Sequence, residues 1–226
     1  MFLEIHAGAG GEDAKLFVHD LFAAYSKWAE SKGLQVELVD SVHGKIAARI
    51  VGDGAGQAFQ YEAGPHCVQR IPPTESRDRR QTSYVLVAVL PVPPKREIRL
   101  LPETECDVWC EVGSGPGGQH RNRTQSCVRM RHKETGMEVY IDGRHQHRNR
   151  RVAHEILSAK VAHHRMQAER DTFQSMRRRQ LGSGSRGDKI RTYNFIKSRA
   201  VDHRTGKKTS RVKDVIERGR FDLLTD

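Results

Sequence analysis

The chain has 226 residues, of which 36% are hydrophobic and 30% charged, and its formal net charge is +11 at pH 7. This length allows one or two domains with cores of their own, the composition excludes a disordered chain, and the charge favours an anionic partner. The longest apolar stretch, residues 84–92, is too short to span a bilayer, and the first residues lack the pattern of a secretory signal. We therefore expect a cytoplasmic protein without a membrane partner.

The first third of the chain predicts strands around one amphipathic helix. Residues 2–6 alternate apolar and polar side chains, as a half-buried strand does. A helix is expected over residues 12–32, because acidic residues stand in its first turn, apolar residues form one stripe, and Gly33 provides a stop. Further strands are predicted at residues 35–39, 45–51 and 83–90, with a glycine-rich turn at residues 52–56.

A cluster of prolines separates two candidate domains. Pro91, Pro93 and Pro94 follow the strand at residues 83–90 and mark the boundary. The second domain begins near Glu103 and is predicted to contain strands at residues 106–112, 126–132 and 137–142. One long helix is expected over residues 144–181, because this stretch contains neither proline nor glycine. A hinge at residues 182–187 follows, and residues 191–195 and a helix at residues 212–218 complete the chain.

A glycine-rich loop lies between the first two strands of the second domain. It reads Gly-Ser-Gly-Pro-Gly-Gly-Gln-His over residues 113–120. So many glycines are unfavourable in a helix or a strand, but they allow backbone N–H groups to approach a partner closely. The arginines that follow the loop and those of the long helix favour a phosphate-rich partner such as RNA. Taken alone, a glycine-rich run is also typical of a flexible loop.

The cysteines and histidines do not have the spacing of a metal site. Cys67, Cys106, Cys110 and Cys127 form no Cys-x-x-Cys pair, and the paired histidines lack ligating companions. We therefore expect free thiols in a reducing compartment, no metal and no cofactor.

Several motifs resemble those of the class I peptide chain release factors, in the same order and across nearly the whole chain. They are HAGAGGEDA (residues 6–14), VQRIPPTES (68–76), Gly-Gly-Gln (117–119), RHQHRN (144–149) and RTYNF (191–195). The resemblance implies an α+β fold in two parts. Residues 1–100 and 185–226 would form an α/β body that reads the codon. An inserted βαββα-like domain, residues 103–181, would carry the Gly-Gly-Gln loop into the peptidyl-transferase centre, with residues 182–187 as a hinge.

By this resemblance, the catalytic residues would be Gly117, Gly118 and Gln119. The backbone N–H of Gln119 would stabilise the charge that develops on the ester oxygens of peptidyl-tRNA. The Gln119 side chain would line the pocket of the attacking water, since an amide cannot act as a general base near neutral pH. Ribosomal RNA would be bound by basic and polar residues near the loop and at the start of the long helix: Arg121, Arg123, Arg144, Gln146, Arg148, Arg150 and Arg151.

The resemblance assigns stop-codon recognition to the tripeptide Pro72-Pro73-Thr74. A Pro-x-Thr tripeptide is that of the factors that read UAG and UAA, whereas the factors that read UGA carry Ser-Pro-Phe there. Gly10 and Asp13, at the tip of the first helix, would contact the first uridine of the codon.

Two further residues, Gln69 and Thr82, would contact the third base of the codon. The sequence also departs from the family. Gln81 stands where a histidine usually stacks on the second base, so stacking would be weaker. Nothing matches the family's N-terminal helical domain, which puts an interaction with the recycling GTPase in doubt. We expect a shortened release factor of a compact genome, such as that of a phage.

The expected function is termination at UAG and UAA, by a translation factor rather than an enzyme in the strict sense. The implied partners are ribosomal RNA of both subunits, the mRNA stop codon and the P-site peptidyl-tRNA, with a methyltransferase that would modify Gln119. The sequence leaves two alternative functions open. One is a codon-independent rescue factor for stalled ribosomes, and the other is an RNA-binding module without hydrolytic function.

Overall fold

The computed structural model describes residues 1–92, 99–113, 118–119, 123–181 and 187–225. The chain divides into two compact units. The terminal unit consists of Met1–Pro93 together with Phe173–Asp226, and the middle unit is Pro94–Thr172. The first division falls within the predicted proline cluster. The second falls inside the long helix and not at residues 182–187, of which only Gly187 is described.

The terminal unit is built on one eight-stranded sheet. Its order is β11-β10-β9-β4-β5-β1-β3-β2, and the described neighbours are antiparallel except for the parallel pair β4–β9. The strands are β1 Phe2–Ala7, β2 Gln35–Val42, β3 Lys45–Val51, β4 Gly64–Arg70, β5 Gln81–Leu90, β9 Arg191–Asn194, β10 Arg199–Asp202 and β11 Lys208–Thr209. The helices are α1 Gly11–Ser31, α2 Ala55–Phe59, α4 Val212–Arg218 and α5 Asp222–Thr225.

Helix α1 provides much of the core of the terminal unit. It buries one apolar stripe that includes Phe17, Leu21, Tyr25 and Trp28, because residues three or four apart share a face of a helix. Gly33 ends the helix with φ +70°, the left-handed conformation that glycine adopts without strain. The predicted helix and the strands predicted at residues 2–6, 35–39, 45–51 and 83–90 are confirmed to within a few residues.

A cluster of buried polar side chains joins the first and last parts of the chain. The guanidinium of Arg191 on β9 is fully buried and contacts Glu62 at 2.5 Å and Asp202 at 2.9 Å. The hydroxyl of Tyr25 also donates to Glu62, at 2.9 Å. Burial opposes ionisation of Asp202, but hydrogen bonds from Arg204 and Arg191 lower the pKa of its carboxyl overall. Removing the Arg191 cation would therefore leave two buried carboxylates without their shared partner.

His66 on β4 belongs to the same cluster and is held neutral. Its Nε2 lies 3.0 Å from the carbonyl oxygen of Glu62, and its Nδ1 lies 3.2 Å from the hydroxyl of Tyr193. A carbonyl oxygen can only accept, so Nε2 carries the proton and Nδ1 accepts from Tyr193. Burial, with a smaller contribution from Arg191, lowers the pKa of His66 to about 3.

The middle unit contains a three-stranded antiparallel sheet in the order β6-β7-β8. The strands are β6 Cys106–Glu111, β7 Cys127–His132 and β8 Glu138–Ile141, and helix α3 extends over Gln146–Leu181. Apolar residues of the first half of α3 pack with strand residues in one core cluster that includes Val128, Met130, Ala153, Leu157 and Val161. The βαββα-like order that the resemblance implies includes a helix between β6 and β7. Most residues of that stretch lie outside the described ranges. Together with the terminal unit, this gives the predicted α+β fold.

The described residues contain no helix that is long and apolar enough to cross a membrane. Within the same ranges, no group of three or more His, Cys, Asp or Glu side chains could hold a metal ion. The four cysteines are free, and burial raises the pKa of the Cys67 and Cys106 thiols.

Candidate functional site

The β4–β5 hairpin carries most of the predicted codon-reading residues. Gln69 is paired with Thr82, and Arg70 with Gln81, immediately before the loop of residues 71–80. Because side chains alternate across a strand, Gln69 and Thr82 share one face of the sheet, and Arg70 and Gln81 share the other. The predicted set is thus divided between the two faces.

The loop of the hairpin contains the tripeptide Pro72-Pro73-Thr74. Pro72 is buried, whereas Pro73 and Thr74 are exposed to solvent. The backbone N–H of Glu75 donates to the carbonyl oxygen of Pro72 at 3.0 Å, which closes a turn around the tripeptide. Two prolines in this turn restrict its backbone, so the Thr74 hydroxyl is presented from a rigid segment.

Glu75 organises the rest of the loop. Its carboxylate accepts hydrogen bonds from the Arg77 N–H at 2.9 Å, from Arg79 Nε at 3.1 Å and from Gln81 Nε2 at 3.3 Å. The hydrogen bond from Arg79 is the main reason why the pKa of Glu75 is lowered. Gln81, expected to face the second codon base, is therefore tied to Glu75 in the free protein. The sequence interpretation missed Glu75, although it lies within the VQRIPPTES motif.

The tip of helix α1 is fixed to the base of this hairpin by Asp13. The Asp13 side chain is 1% exposed, and its two carboxylate oxygens accept from Arg70 Nε and from Ser83 Oγ, each at 2.7 Å. Arg70 also donates to Asp20 Oδ2 at 2.6 Å. Both carboxylate oxygens of Asp13 thus accept hydrogen bonds within the chain, and the contact of this position with the first uridine stays a prediction. A contact from this position would use the backbone N–H groups of the first helical turn, which have no intrahelical acceptor.

Gly10 lies against Ser83 so closely that no side chain fits. Its φ is +133°, and a Cβ added to it would lie 2.5 Å from Ser83 Cβ. The adjacent backbone is paired as well, since the Tyr84 N–H donates to the Ala9 carbonyl at 2.7 Å and the Gly8 N–H donates to the Tyr84 carbonyl at 2.8 Å. Gly10 therefore allows the helix tip and strand β5 to form one rigid surface.

We expect Gly10→Ala to destabilise the terminal unit by about 3 kcal/mol, because it combines an unfavourable φ with a clash against strand β5. Gly11→Ala is the matched control. Gly11 also has positive φ, at +59°, but its added Cβ would have no atom within 4 Å, so its expected cost is only about 1 kcal/mol. Urea unfolding followed by Trp28 fluorescence measures both. Equal losses in the two variants would contradict the close packing on Ser83.

The predicted third-base residue Gln69 has an unpredicted neighbour, Asn194. The parallel pairing of β4 with β9 places Asn194 beside Gln69, and Asn194 Nδ2 donates to Gln69 Oε1 at 2.6 Å. Asn194 lies in the RTYNF motif, but nothing in its local sequence indicates this contact, because the two residues are 125 positions apart.

The glycine-rich loop lies in the segment of the middle unit, whereas the hairpin residues belong to the terminal unit. Gly118 and Gln119 are both exposed, and a Cβ added to Gly118 would have no atom within 4 Å. The predicted site residues Gly117 and Arg121 lie outside the described residues. As far as the described residues show, the Cβ position of Gly118 is therefore open.

The basic residues predicted to bind RNA are exposed where they are described. Arg150 contacts Glu103 at 2.9 Å and Arg151 contacts Glu155 at 4.0 Å, so these two are partly neutralised. The other described arginines of this set have no ion-pair partner within the described ranges: Arg123, Arg144 and Arg148. Gln146 is uncharged and exposed. These residues could therefore engage phosphates with little competition from carboxylates of the chain.

Two family models match consecutive parts of the chain, and the second extends past the middle unit into the terminal unit. Residues 1–87 match the PCRF domain, and residues 97–204 match the RF-1 domain. Over the whole chain, the sequence is 42% identical to peptide chain release factor 1 of Sulfurovum sp. (strain NBC37-1) and 41% identical to that of Aquifex aeolicus (strain VF5), of which it covers 65% and 64%. The chain therefore spans just under two thirds of the length of these relatives.

A solved structure agrees with these relatives. RF2 of Thermus thermophilus matches with a TM-score of 0.56 and 31% identity, over 99% of this chain and 65% of the matched chain. The two matched domains together take up most of the chain, and the relatives align along all of it. On this evidence the chain belongs to the family of peptide chain release factors.

Proposed function

We propose that this protein terminates translation by recognising UAG and UAA in the ribosomal A site and promoting hydrolysis of the P-site peptidyl-tRNA ester. The observation that carries the proposal is the turn that presents an exposed Thr74 in the loop of the hairpin whose strands carry the pair Gln69–Thr82, in the part of the chain that matches the PCRF domain. This part also favours termination over ribosome rescue, because a codon-independent factor has no use for a codon-reading surface.

Recognition of the codon would follow from hydrogen bonding at fixed positions. The Thr74 hydroxyl can donate or accept, so it suits the adenine of the second codon position in UAG and UAA. Asp13 and Gly10 both contact Ser83 and so hold the tip of α1 against strand β5. This would keep the first-base contact at a fixed position relative to the hairpin. Gln69 and Thr82 would then read the third base.

Hydrolysis would depend on positioning rather than on an ionisable side chain. Attack of water on the ester carbonyl develops negative charge on the carbonyl oxygen and on the leaving ribose oxygen. The backbone N–H of Gln119 can donate to that charge, and the absence of a side chain at Gly117 and Gly118 allows it to approach closely. In this proposal the ribosome supplies the remainder of the site, and Gln119 orders the water.

The partners follow from this mechanism. Arg123, Arg144, Gln146 and Arg148 would bind ribosomal RNA, together with Arg121, Arg150 and Arg151. The exposed Gln119 side chain would be accessible to a methyltransferase. The protein would act where ribosomes translate, in the cytoplasm.

The proposal is tested by release of labelled peptide from ribosome complexes with UAG, UAA, UGA or a sense codon in the A site. We expect release on UAG and UAA only. Thr74→Ala should lower kcat/KM on both codons by about 10- to 100-fold, the range for one lost hydrogen bond to a base. Ser76→Ala, an exposed change in the same loop, is the control and should leave release unchanged. Equal release on the sense codon would contradict termination and support rescue.

A further inference from the structure

A chain of hydrogen bonds fixes which atom of Gln69 faces solvent. The backbone N–H of Lys197 donates to Asn194 Oδ1 at 2.8 Å, and Asn194 Nδ2 donates to Gln69 Oε1 at 2.6 Å. A backbone N–H can only donate, so the atom of Asn194 that faces it must be the oxygen. The amide nitrogen of Asn194 then faces Gln69, and only the oxygen of Gln69 can accept from it. The orientation of both amides is thus determined by the backbone.

The Gln69 side chain consequently presents its amide nitrogen. No acceptor for Gln69 Nε2 lies within hydrogen-bond distance among the described residues, and the side chain is half-buried at the base of the hairpin loop. The main chain of Gln69 is held too, because the Phe195 N–H donates to its carbonyl at 2.9 Å. Gln69 is therefore a fixed hydrogen-bond donor, on the sheet face that it shares with Thr82 and Asn194.

We propose that Asn194 determines the third-base preference of this protein by holding Gln69 as a donor, so that UAG is read better than UAA. Guanine carries the O6 acceptor at the position where adenine carries the N6 amino donor. A donor fixed at Gln69 complements guanine and opposes the amino group of adenine. The Thr82 hydroxyl can donate or accept, so it does not discriminate between the two. Asn194 is a positioning residue here, and its role rests on the proposed function.

The decisive substitution is Asn194→Asp, which keeps the shape and changes one donor into an acceptor. One carboxylate oxygen can still accept from the Lys197 N–H, and the other now accepts from the amide nitrogen of Gln69. The Gln69 amide must then rotate by about 180° and present its oxygen. This oxygen accepts from the adenine amino group, whereas it faces another acceptor in guanine O6. We expect the ratio of kcat/KM on UAG to that on UAA to be about 10 in the original protein and to fall below 1 in Asn194→Asp.

Two further variants separate orientation from charge and from folding. Ser198→Asp adds the same charge on the exposed turn that follows β9, at a residue whose φ of +47° aspartate tolerates. It should lower release on both codons equally and leave the ratio near 10. Asn194→Ala removes the constraint on Gln69, so the ratio should fall towards 1 without inverting. If Asn194→Asp fails to fold, as judged by circular dichroism, Asn194→Ala decides the question.

Hydrogen exchange of the Gln69 side-chain amide gives a readout that does not depend on release. In the free protein this NH2 group should exchange quickly, and in Asn194→Asp at least one of its protons should be protected. Ratios that stay within twofold across the original protein and both Asn194 variants would overturn the inference while leaving the proposed function intact. Release that is equal on sense and stop codons in the original protein would overturn the proposed function, and the inference with it.

Discussion

Gly118→Ala should lower the rate of peptide release by about 100- to 1,000-fold, because the added Cβ would keep the Gln119 N–H from its position at the developing oxyanion, and loss of one preorganised donor has an effect of this size. The added Cβ has no atom of the described structure within 4 Å, so the variant should fold normally and bind a stop-codon complex with unchanged KM. The loss should therefore appear in kcat alone. Single-turnover release at saturating protein, with a filter-binding assay for affinity, measures the two separately.

The matched control for this variant is Gly56→Ala. Gly56 is likewise exposed and has open space around an added Cβ, but it lies in the short helix α2 of the terminal unit. Release by Gly56→Ala should be unchanged. If Gly118→Ala loses binding and release to the same extent, the glycine loop serves docking rather than hydrolysis, and the assignment of the catalytic residues is wrong.

Arg191→Met should destabilise the terminal unit by about 3–5 kcal/mol, a large part of the total stability of most domains. The substitution leaves Glu62 with only the Tyr25 hydroxyl as a donor, in a site where the carboxylate is 1% exposed. Urea unfolding followed by tryptophan fluorescence measures the loss. The sequence contains only two tryptophans, so a Trp109→Phe background leaves Trp28, within the terminal unit, as the reporter.

Arg204→Met is the comparison for this prediction. Arg204 also contacts Asp202, at 2.9 Å, but its side chain is 34% exposed. Water can replace most of its interaction, so its removal should cost about 1 kcal/mol or less. Similar losses in the two variants would show that the burial of the Arg191 contacts adds nothing to stability.

The elements with a strong local pattern could be predicted from the sequence, and the others could not. Helix α1 has a continuous apolar stripe and a glycine stop, and its predicted ends differ from the observed ends by one residue. Strand β4 was missed because its first five residues are all buried, so it shows no alternation, and because it begins with Gly-Pro. The glycines at residues 52–56 indicated a turn, whereas helix α2 begins at Ala55 among them.

In the candidate site, the contacts between side chains could not be predicted from the sequence. The motifs gave the positions of the hairpin loop and the glycine loop, but not the partners of the residues within them. Asp13 is occupied by Arg70, which lies 57 positions further along the chain, and Gln69 is oriented by Asn194, which lies 125 positions further along. Such contacts depend on which strands become neighbours in the sheet, and no local periodicity contains that information.

The position of β9 in the sheet has a consequence for the order in which this protein folds during its synthesis. Strand β4 is flanked by β5 on one side and by β9 on the other, and Glu62 beside it depends on Arg191 of β9. When residues 1–92 have left the ribosome, the edge of β4 is still unpaired, and it stays so while the whole middle unit is translated. The middle unit is one contiguous segment, Pro94–Thr172, so it can fold in this interval. The terminal unit, which contains the β4–β5 hairpin, is thus completed only after the middle unit, once the segment that carries β9 to β11 has emerged.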